Sequence, residues 1–252
     1  MKIKDFRINS IQDFISYTRI CENENKIRLY RGQEEESWSL DSKLWRLVKD
    51  SKQIQDFYDI EMNIFNEFKN RYIEFKDQST NYNDWHILSI AQHYGLPTRL
   101  IDWTSNPLIA LWFAFENQKD NNNDRIVWGL VVKEELLVDF KNDSPFHGRF
   151  VKIFEPHKID NRITNQKSWF SIQNMHLVRG GGDELPSFSE YNILNEQEEF
   201  VYHLARFIFK NSLRDDILRI LDDFGINYLK IFPDLTGLCK QIEWKKFKHK
   251  TT

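Results

Sequence analysis

Cysteine is almost missing from this chain. Cys21 and Cys239 are the two in 252 residues, and they stand far apart. With no Cys-x-x-Cys pair, no Cys/His cluster and no H-E-x-x-H, the sequence argues against a zinc site, and no metal is expected. Charge of one sign is also missing. The net charge of −3 gives no global pull toward nucleic acid or a membrane surface. The basic stretch "EWKKFKHK" reads as a solvated tail or a local patch. No run approaches the ~20 apolar residues of a membrane span, and "MKIKDFRINS" has no apolar signal region. The expectation is a soluble cytoplasmic protein that engages no membrane. Repeats, low-complexity tracts and a dividing linker are absent too, so one domain is expected over residues 1–252, with room for a sizeable core.

Aromatics, by contrast, are abundant, with 20 Phe, 9 Tyr and 8 Trp. Their spacing marks helices. Residues 53–75 carry Phe57 or Tyr58, then Phe65, Phe68, Tyr72 and Phe75 at three- and four-residue steps. Glu61 interrupts that stripe. Either it sits at the edge and snorkels outward, or it reaches inward to an Arg or His, since an unpaired buried carboxylate is costly. Ser10 is placed to cap a first helix, and Asn83 or Asp84 to cap "DWHILSIAQHYG", which Gly95 ends. Asn106-Pro107 reads as the cap and first turn of "PLIALWFAFE", apolar on nearly every face and so buried.

Strands are expected at "RLYRG", "LPTRLIDWTS", "RIVWGLVV", "RFVKIFEP", "SWFSIQ", "EEFVYHLARFIF" and "INYLKIF", with a possible short one at the start. "SLDSKLWRLVKD" is ambiguous. Ser212 is expected to cap a helix whose Leu213, Ile217, Leu221 and Phe224 share a face and which Gly225 ends. "MHLVRGGGDELPSFSEYNILNEQ" reads as a surface loop, and Gly180–Gly182 lack the context of a phosphate-binding loop. Helices early and strands late imply an α+β fold, with a mixed, largely antiparallel sheet core and N-terminal helices.

The candidate chemistry gathers in a few stretches. Arg31, in "LYRGQ", offers a planar fork suited to phosphate or carboxylate, and equally to an ordinary salt bridge. His93, beside Gln92 and Tyr94, is placed for base chemistry or substrate contact, or to cap its own helix. Arg99 and Asp102 are spaced to pair with each other. Thr104 and Ser105 precede the N-terminus of the buried helix, where anions and ribose hydroxyls are favourably held. Asn106 is the better cap, which leaves their hydroxyls spare. No G-x-S-x-G elbow supports hydrolase chemistry. Glu198–Glu199 and Asp215–Asp216 are adjacent pairs that point apart.

Tyr30-Arg31-Gly32, followed by Gln33 and "WSLDSKLWR", resembles the opening motif of the FRG domain family. "AQHYGLPTRLIDWTSNPLIALWFA" resembles the family's central signature, and "RITNQKSWFSIQ" and "GINYLKIFPDLTGL" its later blocks, over about residues 25–240. The pattern is also distantly similar to mono-ADP-ribosyltransferases. That resemblance implies an ADP-ribosyltransferase-like fold and NAD as substrate. Arg31 would hold the pyrophosphate, with Tyr30, Gly32, Gln33, Arg99 and Arg162 around the nucleotide. Thr104 or Ser105 would take the ribose, with His93 and Gln166 lining the pocket and Glu61 orienting Arg31 or His93. Where the similarity calls for a Glu, the chain reads Arg162-Ile163-x-x-Gln166, so either Glu61, Glu198 or Glu199 supplies the carboxylate, or catalysis is altered, or the site binds without reacting. The resemblance implies a protein or nucleic-acid acceptor, leaves room for a regulatory protein partner, and fits a toxin or anti-phage defence effector. Two alternatives stand beside it. One is a non-catalytic nucleotide- or nucleic-acid-binding module with Tyr30, Tyr94 and Trp103 stacking on bases. The other is a structural domain whose polar centre only specifies the fold.

Overall fold

The computed structural model describes residues 3–20, 26–50, 56–75, 82–117, 123–147, 151–156, 165–173, 175–178, 187–191 and 204–248, with 20, 175–178, 187–191 and 248 described by backbone alone. Seven strands form one sheet: β1 (Lys4–Ile8), β2 (Arg28–Gln33), β3 (Leu100–Thr104), β4 (Arg125–Val131), β5 (Lys152–Phe154), β6 (Ser168–Ile172) and β9 (Leu204–Phe209). β7 (Met175–Val178) and β8 (Ser187–Tyr191) pair as a separate ribbon. The sheet order is β1-β9-β4-β2-β3-β6-β5. Only β1 and β9 run parallel; the other neighbours are antiparallel. The helices are α1 (Ile11–Ile20), α2 (Lys43–Val48), α3 (Phe57–Tyr72), α4 (Asp84–His93), α5 (Pro107–Phe115), α6 (Arg214–Asp223), α7 (Tyr228–Ile231) and α8 (Leu235–Glu243). The fold is α+β.

Side-chain alternation splits the core in two. Ile126, Trp128 and Leu130 of β4 face one cluster with Leu29 and Ile101. Val127, between them, faces the other with Phe207, Phe209 and the apolar α5. A third cluster lies under α3 and α4, built on Phe65, Trp85, Leu88, Leu100 and Phe170. Local end signals hold the helices as the sequence implies. Ser10 Oγ accepts from Asp13 N at 3.1 Å, Asn83 Oδ1 from His86 N at 3.1 Å and Asn106 Oδ1 from Leu108 N at 3.0 Å. Gly95 and Gly225 take φ of 91° and 77° at the ends of α4 and α6.

α5 lies directly on β2 because position 32 has no side chain. A Cβ there would stand 1.9 Å from the Ala110 carbonyl oxygen and 2.6 Å from Ala114 N, both backbone atoms of α5. Gly32→Ala is therefore expected to cost about 3 kcal/mol, the upper end of overpacking penalties, because the obstacle cannot rotate away. An unchanged urea midpoint for that variant would contradict this packing.

Several elements differ from expectation. "SLDSKLWRLVKD" resolves as α2, with Ser42 Oγ accepting from Trp45 N at 3.2 Å. "INYLKIF" is not a strand: Asn227 caps the single-turn α7, whose Ile231 and Tyr228 pack beneath α5 and leave no sheet edge to join. Ser212 caps nothing; a 3-10 turn at Asn211–Leu213 leads into α6 without a side-chain cap. Phe224 is 72% exposed rather than on the buried face of Ile217 and Leu221. Phe75 lies past the end of α3 and is exposed. The stretch read as a loop contributes β7 and β8. Gly180–Gly182, Glu198 and Glu199 lie outside the described residues.

Candidate functional site

β2 pairs with β4 along its whole length, and β3 does so with β6. Between β2 and β3 only Tyr30 and Thr104 are paired. Where that ladder lapses there is a cleft of about 790 Å³, lined by residues of both strands and by α2, the end of α4 and α5. Unpaired strand backbone needs other partners, and Arg31 supplies one: its Nη1 donates to the Asp102 carbonyl at 2.8 Å. The Asp102 carboxylate stands 3.8 Å from the same nitrogen. That carboxylate also accepts from Gln92 Nε2 at 2.9 Å, and Gln92 Oε1 accepts from Thr98 Oγ1 at 2.7 Å. The relay Thr98–Gln92–Asp102 thus fixes the far side of Arg31.

The other edge of the guanidinium is unclaimed. Arg31 Nε is buried without a hydrogen-bond partner, and Nη2 makes no hydrogen bond among the described residues. Burial holds Arg31 below the usual guanidinium range. Asp102 offsets this, and the nearby charge of Arg46 adds to it. Arg46 is anchored through Nη1 to the Asp41 carbonyl at 2.6 Å, and Lys49 lies 3.6 Å from the Asp41 carboxylate. Three cations from β2 and α2 thus border one cleft.

Tyr30, Gly32, Gln33, His93, Thr104 and Gln166 also line it, so residues singled out from three separate stretches meet at one place. Their side chains are not equally available. Thr104 Oγ1 donates to the Gln166 carbonyl at 2.6 Å and accepts from Asn106 N at 3.1 Å. It is not spare, as the local grammar had suggested. Gln166 Nε2 donates to the Ile231 carbonyl at 3.2 Å. Gln33 Oε1 accepts from Trp128 Nε1 at 2.7 Å. His93 is half-buried at the C-terminus of α4, edge-on to Tyr94.

Other expected site residues lie elsewhere. Arg99 does not pair with Asp102. Its Nε donates to both Glu61 oxygens at 2.7 and 2.8 Å, its Nη1 to the Gln173 carbonyl and its Nη2 to the Pro145 carbonyl, each at 2.8 Å. Glu61 thus does reach inward to an Arg, but to this one; burial pushes its carboxyl above the usual range while Arg99 pulls it down. Neither residue borders the cleft. The pair ties α3 to β3 and to the segments after β6 and before β5, and all three guanidinium nitrogens of Arg99 are engaged there. Ser105 is exposed and does not line the cleft, its N–H bonded to the Lys167 carbonyl. Tyr94 is 73% exposed outside the cleft, while Tyr30 and Trp103 line it but are almost wholly buried, so none of the three is a free stacking platform. The more accessible aromatic wall is Trp38, Phe113 and Phe232. Arg162 lies outside the described residues.

Sequence reasoning missed Arg46, Lys49, Gln92 and Glu116 as cleft residues. The first two were in "SLDSKLWRLVKD", whose ambiguous secondary structure hid a helix face. Among the described residues no group of three or more His, Cys, Asp or Glu is placed to hold a metal, and no helix is long and apolar enough to cross a membrane.

Residues 26–123 match the family model of the FRG domain. That segment supplies every residue of the cleft lining except Gln166, Ser168 and Phe232. No curated protein and no solved structure matches the chain.

Proposed function

We propose, from the FRG domain at residues 26–123 and the cleft it lines, that the protein binds NAD and uses it as an ADP-ribosyltransferase-like enzyme. The observation that carries this reading is the open edge of Arg31. A buried, partnerless Nε beside a free Nη2 is a two-donor fork for an oxyanion, and leaving it empty is costly. Arg46 and Lys49 add charge suited to a second phosphate. The charge of Arg46 disfavours that of Arg31, and an anion between them relieves this. Trp38, Phe113 and Phe232 offer apolar faces to the rings of a dinucleotide. Gln166 Oε1, unpartnered among the described residues, is an acceptor for a ribose hydroxyl.

In the reaction, a nucleophile of a protein or nucleic-acid acceptor attacks the ribose carbon. The bond to nicotinamide breaks and its electron pair leaves with nicotinamide. A toxin or anti-phage effector role in the cytoplasm, and regulation by a protein partner, accompany this reading on the resemblance alone.

The second reading is a non-catalytic nucleotide-binding module. It is favoured by Thr104 and the Gln166 amide being engaged with the backbone, and by the lack of charge on Gln to stabilise an oxocarbenium-like transition state. Nicotinamide release from NAD, followed by mass spectrometry with protein and nucleic-acid acceptors present, separates the two. Release at a rate above the protein-free control is expected. Saturable binding of NAD with no product would replace the enzymatic reading by the binding one, and absence of both would remove the nucleotide reading altogether.

A further inference from the structure

Four carboxylates border the cleft: Glu34, Asp41, Asp102 and Glu116. Three are engaged. Asp41 lies 3.6 Å from Lys49, Asp102 accepts from Gln92 and Glu34 accepts from Asn117 Nδ2 at 2.7 Å. The Glu116 carboxylate makes no hydrogen bond or ion pair among the described residues. Its backbone is nevertheless fixed. The carbonyl accepts from Arg214 Nη2 at 3.0 Å and from the Tyr228 hydroxyl at 3.2 Å, and the N–H bonds the Trp112 carbonyl at 2.8 Å. A half-buried acid on a rigid base, at the end of a fully apolar helix and sharing the cleft with Phe113 and Phe232, is presented to a ligand without an internal partner to compete for it.

The charges around Glu116 come from four elements. Glu34 follows β2, Arg214 opens α6, Tyr228 opens α7 and Lys240 lies on α8. Burial raises the carboxyl to about 7, with Lys240 opposing and Glu34 reinforcing the shift. The group therefore changes charge near neutral pH and is able both to take and to release a proton there.

We propose that Glu116 is the general base of the cleft, taking the proton of the attacking acceptor as the bond between ribose and nicotinamide breaks. This rests on the NAD-using reading. The acceptor's lone pair forms the new bond to the ribose carbon. The electron pair of the broken bond leaves on neutral nicotinamide, and the acceptor's proton passes to the Glu116 carboxylate and then to solvent. The role falls to Glu116 and not to Gln166, which has no proton-accepting charge, nor to Glu61, which is locked to Arg99 outside the cleft.

The test compares wild type, Glu116→Gln and Glu116→Asp in NAD affinity and in nicotinamide release across pH 5–9. Wild-type release should rise through about pH 7 as the carboxyl ionises. Glu116→Gln should bind NAD as wild type does, release nicotinamide about 10²–10⁴-fold more slowly, and lose the rising limb. Glu116→Asp should regain part of the rate with a displaced limb. Unchanged rate and pH profile in Glu116→Gln would overturn the role of Glu116 alone. Loss of binding together with rate would make it a structural or ligand-holding group, and also overturns the proposal. Wild-type binding without release at any pH overturns the enzymatic reading and this proposal with it.

Discussion

Arg31→Ala is expected to weaken the binding of NAD or ADP-ribose by roughly 10²–10⁴-fold. The estimate follows from the loss of two charge-assisted hydrogen bonds, worth about 1.5–3 kcal/mol each, at 1.4 kcal/mol per tenfold in affinity. Arg31→Lys restores the charge but not the fork, and should recover only a small part of that loss. The fold should tolerate both variants. Among the described residues the Arg31 side chain bonds only Asp102, through its carbonyl and more distantly its carboxylate, and Asp102 is exposed enough for water to replace the donor. Titration calorimetry reads the effect directly. Equal affinities in wild type and Arg31→Ala would mean that the open edge of the guanidinium is not the anion site.

The largest effect on stability is expected at the buried Arg99. Arg99→Ala leaves Glu61 buried and unpaired and strips donors from the Gln173 and Pro145 carbonyls. Breaking one side of such a pair costs about 3–5 kcal/mol, a large part of the 5–15 kcal/mol of a typical folded protein. Replacing both partners by Met should cost much less than the single change, because no charge is then stranded. Urea unfolding of the two variants checks this ordering. A midpoint for Arg99→Ala equal to that of wild type would show that the pair does not hold α3 to β3.

What could be read from the sequence follows from the range of each force. Helix ends depend on partners within a few residues, and the caps at Ser10, Asn83 and Asn106 were legible for that reason. The apolar character of α5 likewise announced its burial. Short apolar runs carry no such local signature: "INYLKIF" has strand composition, yet its place beneath α5 makes it the helical turn α7. Glu61 illustrates the boundary. Its position on an apolar stripe declared the need for a partner, but the partner lies 38 residues on in the chain, and three-residue spacing pointed Arg99 toward Asp102 instead.

The site divides in the same way. Arg31 and His93 were marked by their immediate neighbours and Gln166 by the family resemblance, and the structure brings them to one cleft. Arg46, Lys49 and Glu116 reach it only because the ladder between β2 and β3 lapses after a single pair, which no local pattern announces. The same tertiary closure consumed the Thr104 hydroxyl, which the linear sequence left free.

The central claim is that the open edge of Arg31 receives the phosphates of a dinucleotide. A crystal structure of the protein grown with saturating NAD or ADP-ribose tests it most directly. The expected result is a ligand in the cleft between β2 and β3, with pyrophosphate oxygens within hydrogen-bond distance of Arg31 Nε and Nη2 and with Arg46 beside them. A ligand bound elsewhere, or a cleft still empty at saturation with the Arg31 edge unoccupied, would contradict it.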